Sequence, residues 1–172
     1  MMSVRLATVA DASDVSRLLR DFNTEFHDVV PERVELAERM AKLIAGGETT
    51  VLLVGDAPDR SDGSDRPDRS HEPDRSHEPD GIAVLRFRQA IWAAGLECYL
   101  AELYIAPHRR GHGLGRALME FAIEHAREQG AAWIDLGTSE DDIAARSLYE
   151  SLGFSNREGG SGPLQYFYEL EL

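Results

Sequence analysis

The chain has 172 residues, of which 42% are hydrophobic. That predicts a single domain spanning 1–172 with a packed core, and it excludes global disorder. Eighteen basic residues against 31 acidic ones leave a formal charge of −13, the wrong balance for a nucleic-acid binder, which needs clustered Lys and Arg. No apolar run approaches the ~20 residues of a membrane span and no signal-peptide pattern opens the sequence, so no membrane partner is expected. A lone cysteine, Cys98, excludes an internal disulfide framework and points to a reducing cytoplasm.

In chain order, Val4–Thr8 alternates and suits a first strand. Asp11 can cap a helix that carries Val15, Leu18, Leu19, Phe22 and Phe26 at helical spacing. Pro31 opens a second helix with Val34, Ala37, Ala41 and Ile44 on one face, and Gly46-Gly47 ends it. Thr49–Val54 reads as a strand and Gly81–Ile91 as its hairpin partner. Glu97–Ile105 is a further strand, and Leu114–Gln129 an amphipathic helix with Leu114, Leu118, Phe121 and Ala122 inward, ended by Gly130. Trp133–Leu136 is a strand and Asp142–Leu152 a helix, and Phe154–Arg157 and Tyr166–Leu172 are read as two final strands. The order is β-α-α-β-β-β-α-β-α-β-β, an α/β fold with helices on both faces of a mixed central sheet.

Residues 56–80 stand apart. They hold nine acidic residues and four arginines, and the hexapeptide PDRSHE occurs at Pro67–Glu72 and again at Pro73–Glu78. Such a segment buries too little apolar surface to offset its ordering entropy, so a solvated, disordered hairpin loop is expected. His71 and His77 are six residues apart with no cysteine nearby, which matches no compact zinc pattern, so no metal is expected.

The most informative stretch lies between a strand and a helix: Pro107-His-Arg-Arg-Gly-His-Gly-Leu-Gly-Arg116. Gly111, Gly113 and Gly115 leave backbone amides unobstructed, and a helix N-terminus favours an anion. Arg109, Arg110 and Arg116 add positive charge against the global trend. A pyrophosphate is the natural ligand, and a tight left-handed loop is the purely structural alternative. The nucleoside-triphosphate loop is excluded, because it needs Gly-Lys-Ser/Thr and no Lys occurs here. The dinucleotide fingerprint fits poorly: Asp135 lies 20 residues past Gly115, but the turn comes late in the chain.

Leu103–Gly115 resembles the acyl-CoA-binding segment of the GNAT superfamily of N-acetyltransferases, whose signature Arg/Gln-x-x-Gly-x-Gly/Ala is met by Arg110, Gly113 and Gly115. Ala145–Phe154 resembles the same family's A-x-x-L/F-Y-E-x-x-G-F helix. The two blocks cover about Glu102 to Phe154, and the element order extends the match to nearly the whole chain. The resemblance implies a cytoplasmic acetyl-CoA-dependent enzyme in which amides of Arg110, Gly111, His112, Gly113, Leu114 and Gly115, with Arg116 next to them, hold the CoA pyrophosphate. It implies that Leu103, Tyr104 and Ile105 pair with pantetheine, one amide polarising the thioester carbonyl. It also implies that Tyr149 protonates the departing thiolate. At Asp142 the family often carries an Asn that contacts pantetheine. An Asp accepts hydrogen bonds but cannot donate as the amide does, and Asp141 or Asp142 also suits a helix cap.

A base must deprotonate the attacking amine. Glu102 is the candidate because an acid inside an apolar strand is costly to bury unless used or paired, and Glu97 is the reserve. Strand alternation puts Leu100, Glu102 and Tyr104 on one face and Ala101, Leu103 and Ile105 on the other. Glu25, His27, Asp28, Glu32 and Glu35 on the first helices form either an acidic rim that draws a cationic amine or an ordinary solvated face. The alternative function is a non-catalytic acyl-CoA-binding sensor. A strand-like C-terminus such as Gln165–Leu172 can pair across a homodimer.

Overall fold

The computed structural model describes residues 2–56 and 78–172. Five strands form one sheet in the order β1 (Met2–Leu6), β2 (Thr49–Asp56), β3 (Gly81–Gln89), β4 (Leu96–Ile105) and β5 (Ala131–Leu136). The helices are α1 (Ala12–Glu25), α2 (Arg33–Ala45), α3 (Leu114–Glu128) and α4 (Ile143–Ser151). β1 through β4 pair antiparallel in succession. β2 and β3 are the expected hairpin. The segment joining them lies outside the described residues, as does most of the 56–80 loop expectation. The chain divides into two compact units, residues 1–134 and 135–172.

Within the first unit the sheet is covered on both faces. Residues opposite each other in an antiparallel pair share a face. Val51 opposes Val84 and Leu53 opposes Ile82, and these four pack with Val15 and Leu18 of α1 and Leu36 and Met40 of α2. Thr50 points to the other side, where its hydroxyl lies 3.4 Å from Nε2 of His125 on α3. Leu114, Leu118, Met119, Ala122 and Ala126 form the buried stripe of α3. In α2 the buried stripe is Leu36 and Met40 rather than the Val34 face expected from spacing, and Val34 is exposed. The larger side chains take the interior because they remove more apolar area from water.

Asp11 does not cap α1 through its side chain. It turns back instead to accept from the backbone and hydroxyl of Thr8 at 2.7 and 2.9 Å, and from the Arg5 guanidinium at 2.6 and 3.0 Å. This ties the end of β1 to the start of α1.

The two final strands are not formed. Phe154–Arg157 contributes only an isolated bridge between Arg157 and Leu164, and residues 165–172 form no strand. Tyr166, Phe167, Tyr168, Leu170 and Leu172 are all exposed. Strand propensity reflects fit to a pleated, half-buried surface, and these exposed side chains have none beneath them.

The Arg5 contact holds the Asp11 carboxyl at about 2 against an ordinary 3.8, with the Thr8 bonds adding to it and burial opposing it. Asp11→Asn should therefore cost about 1 kcal/mol at neutral pH. The contribution is complete above the ordinary carboxyl value and is lost as pH falls toward about 2. Urea unfolding at pH 7 and pH 2.5 should show the gap between variant and wild type closing in acid.

Candidate active site

β4 carries the key irregularity. Val84 opposes Glu102, but its neighbour Leu85 opposes Leu100, so Ala101 has no partner on β3. This is a β-bulge, two residues on one strand facing one on the other. Val84 and Leu85 are adjacent and face opposite sides, so Leu100 and Glu102 do too. Plain alternation had put those two on one face, and the bulge corrects it. Tyr104, opposite Ile82, stays with Glu102. Leu103 opposes Ala83 and belongs to the other face.

Glu102 thus looks into the space between the sheet and the first two helices. A pocket of about 310 Å³ opens there, with Ala101, Glu102, Thr49, Val84 and Arg86 on the sheet. Leu19 and Asn23 of α1, Val29 and Pro31 of the connection, and Leu36, Arg39, Met40 and Leu43 of α2 complete the lining. Burial, helped by the negative charge of Asp28, pushes the Glu102 carboxyl above the ordinary carboxylate range. No hydrogen bond or ion pair engages it among the described residues. Glu97 is different: it forms a cross-strand ion pair with Arg88 and does not line the pocket.

The glycine turn follows β4 through one turn of 3₁₀ helix, Pro107–Arg109. Gly111 and Gly113 have φ of 78° and 82°, and a Cβ on either would meet nothing within 4 Å. Glycine is needed at these positions for backbone conformation rather than for space. Gly113 is the N-cap of α3, and Leu114, Gly115 and Arg116 form its first turn. The first amides of a helix have no acceptor within it and point outward along the axis. His112 buttresses the turn, with Nδ1 at 2.9 Å from the Arg110 carbonyl and 3.2 Å from that of Arg109.

The arginines are more committed than their positions in the sequence suggest. Arg109 pairs with Asp56 at 3.1 Å and Asp80 at 3.5 Å, the residues flanking the ends of β2 and β3. Arg110 donates through Nε to the Ile105 carbonyl at 2.9 Å and grips Glu25 with both terminal nitrogens at 2.8 and 2.7 Å. Its guanidinium also lies 5.8 Å from the ring centre of Tyr104. The Arg110–Glu25 hydrogen bonds lower the Glu25 carboxyl. Arg116 is 3.7 Å from Glu120 one turn along α3. The carboxylates of Glu25, Asp56 and Asp80 therefore already balance much of the local positive charge.

In the second unit, Tyr149 is buried on α4, its ring 6.0 Å from that of Phe154. Burial, with the charge of Asp142 behind it, pushes the phenol up to about 12. Asp142 serves as the cap of α4, its carboxylate accepting from the Ala145 amide at 3.0 Å. Sequence reasoning missed Thr49, Arg86 and Arg39, because nothing in a single strand or helix marks residues that meet only across the sheet. Among the described residues, no His, Cys, Asp and Glu cluster could hold a metal ion, and no helix is long and apolar enough to cross a membrane.

The Acetyltransferase (GNAT) family profile matches residues 68–154. The chain belongs to that family. A crystal structure from Arthrobacter sp. FB24, of a protein assigned as an acetyltransferase, superposes with a TM-score of 0.78 at 38% identity, covering 98% of this chain and 96% of that one. Thialysine N-epsilon-acetyltransferase of Mus musculus is 25% identical over 98% of this chain and 92% of its own length. A mycothiol acetyltransferase of Nocardiopsis dassonvillei is 42% identical, but over only 33% of this chain and 18% of its own length. An aminoglycoside acetyltransferase from a soil metagenome shares the fold at a TM-score of 0.70 and 14% identity.

Left-handed backbone costs a side-chain-bearing residue about 1–2 kcal/mol. Gly113→Ala should therefore lower stability by that amount, measured by urea unfolding, with no steric contribution beyond it.

Proposed function

We propose that this chain moves an acetyl group from acetyl-CoA to the primary amine of a small-molecule or protein acceptor. Glu102 would act as base, directly or through water, and Tyr149 as acid. The observation that carries this reading is Glu102 itself: a half-buried carboxylate with no partner among the described residues, aimed by a bulge into a pocket. It lies immediately before Leu103–Ile105, the strand segment expected to receive pantetheine. Leaving a buried acid unpaired is costly and occurs mainly where the group is used.

The chemistry follows from the protonation states. An amine arrives as an ammonium, and Glu102 takes a proton so that the nitrogen lone pair can attack the thioester carbon. The new C–N bond forms, the C–S bond breaks, and the second amine proton is shed to solvent. Amides at the end of β4 support the developing oxyanion. The departing thiolate takes the Tyr149 phenol proton. A phenol raised to about 12 stays protonated at neutral pH, the form that an acid requires. Arg110 to Gly115, with Arg116, would hold the pyrophosphate through helix-terminal amides and charge. Asp142, occupied as a helix cap, would contribute to the cofactor side mainly by fixing the start of α4.

Thiol release from acetyl-CoA in the presence of a panel of amines tests the proposal. Glu102→Gln should lower kcat/KM by about 10²-fold or more. It should also remove the acidic limb of the pH profile, which in the wild type falls as pH drops through a pKa above the ordinary carboxyl value. Tyr149→Phe should lower kcat with little change in KM. Saturable acetyl-CoA binding with no thiol release for any amine would replace this reading with a non-catalytic acyl-CoA-binding module.

A further inference from the structure

The pocket in front of Glu102 has a second polar end. Thr49 opposes Arg86 across the β2–β3 pair, and both line the pocket. Thr49 is only 4% exposed, and its Oγ1 has no hydrogen-bond partner among the described residues. A buried hydroxyl without a partner is uncommon and needs an explanation. Arg86 enters no ion pair or side-chain hydrogen bond among the described residues, although it sits in a protein with 31 acidic residues. Arg39 reaches the same pocket from α2 and, among the described residues, is held only by Glu35, an exposed pair one helical turn away at 2.8 Å. Such exposed pairs are worth about 0.3–0.5 kcal/mol and are easily redirected.

The pocket is therefore polarised. Glu102 and the charge of Asp28 mark one end as attractive to an ammonium, and the Thr49 hydroxyl with the Arg86 and Arg39 guanidiniums marks the other as attractive to an anion. Arg86 is two residues from Val84, the partner of Glu102, so the two ends are about 7 Å apart along the sheet. A volume of about 310 Å³ equals that of roughly ten water molecules, a space for an amino-acid-sized molecule. Glu25 and Glu35, two of the acids of the expected acidic rim, are already paired with Arg110 and Arg39, which weakens the case for a purely cationic acceptor.

We infer that the acceptor is a small amine bearing a carboxylate: its nitrogen lies at Glu102 and its carboxylate is received by Thr49 Oγ1, Arg86 and Arg39. The inference rests on the acetyl-transfer reading and narrows its substrate class. A guanidinium with a hydroxyl beside it matches a carboxylate's two acceptor oxygens, whereas an alkylamine would leave those donors unpaired.

The test compares amines in matched pairs with and without the carboxylate: β-alanine against ethylamine, γ-aminobutyrate against propylamine, lysine against cadaverine. Two readouts are taken, thiol release from acetyl-CoA and the rise in Tm each amine produces. The expected result is at least a tenfold higher kcat/KM for one or more carboxylate-bearing members than for their partners, with a larger Tm rise for the same member. Arg86→Gln should bring that ratio close to one. Thr49→Val should reduce it while holding or raising the Tm of the free protein, because the variant removes an unpaired buried hydroxyl. Equal or better use of the plain alkylamines by the wild type, or an unchanged ratio in Arg86→Gln, would overturn the inference. Thiol release with no carboxylate preference sinks only the inference. Absence of thiol release with every amine sinks the catalytic reading, and the Tm comparison still decides whether the anion end exists.

Discussion

Ala101 is the one residue of β4 between Leu96 and Ile105 with no partner on β3, and the candidate site depends on it. A regular strand would keep Leu100 and Glu102 on a common face. Cys98 and Leu100 are fully or almost fully buried, and Cys98 opposes Phe87, whose ring meets His125 of α3. Without the extra residue, Glu102 would join that apolar interface. With it, the carboxylate turns to the α1–α2 side, where there is a pocket and partial access to water. A bulge costs the sheet one rung of its ladder and changes the direction of everything beyond it. Here it allows an acid to sit within an apolar strand without entering the core.

The charges follow a related logic. The chain is strongly acidic, yet its acids are distributed so that most arginines near the glycine turn are held in place. Arg109 braces the ends of β2 and β3 through Asp56 and Asp80. Arg110 joins the end of β4 to the last residue of α1 by way of Ile105 and Glu25. The connection that follows Glu25 supplies Val29 and Pro31 to the pocket, and Arg20 anchors it by donating to the Pro31 carbonyl. A single guanidinium therefore joins the end of β4 to the end of α1, the helix whose Leu19 and Asn23 line the pocket. Part of that charge is already balanced within the chain. It is shared between an internal carboxylate and the turn.

Much of this was readable in the sequence. Local signals suffice for elements whose determinants are neighbours in the chain. Val15 and Leu18 of α1, Leu114, Leu118 and Ala122 of α3, the glycines before and after α3, and the hairpin halves on either side of the acidic segment were placed correctly, whereas Phe26 and Phe121, expected on the same helical stripes, are exposed. Gly111 and Gly113 were legible because left-handed backbone selects glycine wherever it occurs. Errors arose where a partner decides. Val34 and Leu36 are equally plausible inward residues by pattern, and only the volume beneath α2 chooses Leu36. Tyr166–Leu172 has the composition of a strand, but whether a neighbouring strand pairs with it is not a property of its own sequence.

The sequence by itself determined the family, through two spaced motifs, and the α/β order of elements, because periodicity and backbone chemistry act over a few residues. It also identified Glu102 and Tyr149 as candidates, since an acid in an apolar strand and a tyrosine in a matched motif are visible in one dimension. The tertiary structure alone decided which way Glu102 faces, because strand register is a relation between β3 and β4. It alone brought Thr49, Arg86 and Arg39 to one pocket from two strands and a helix, because cross-strand neighbours are adjacent in space and distant in the chain.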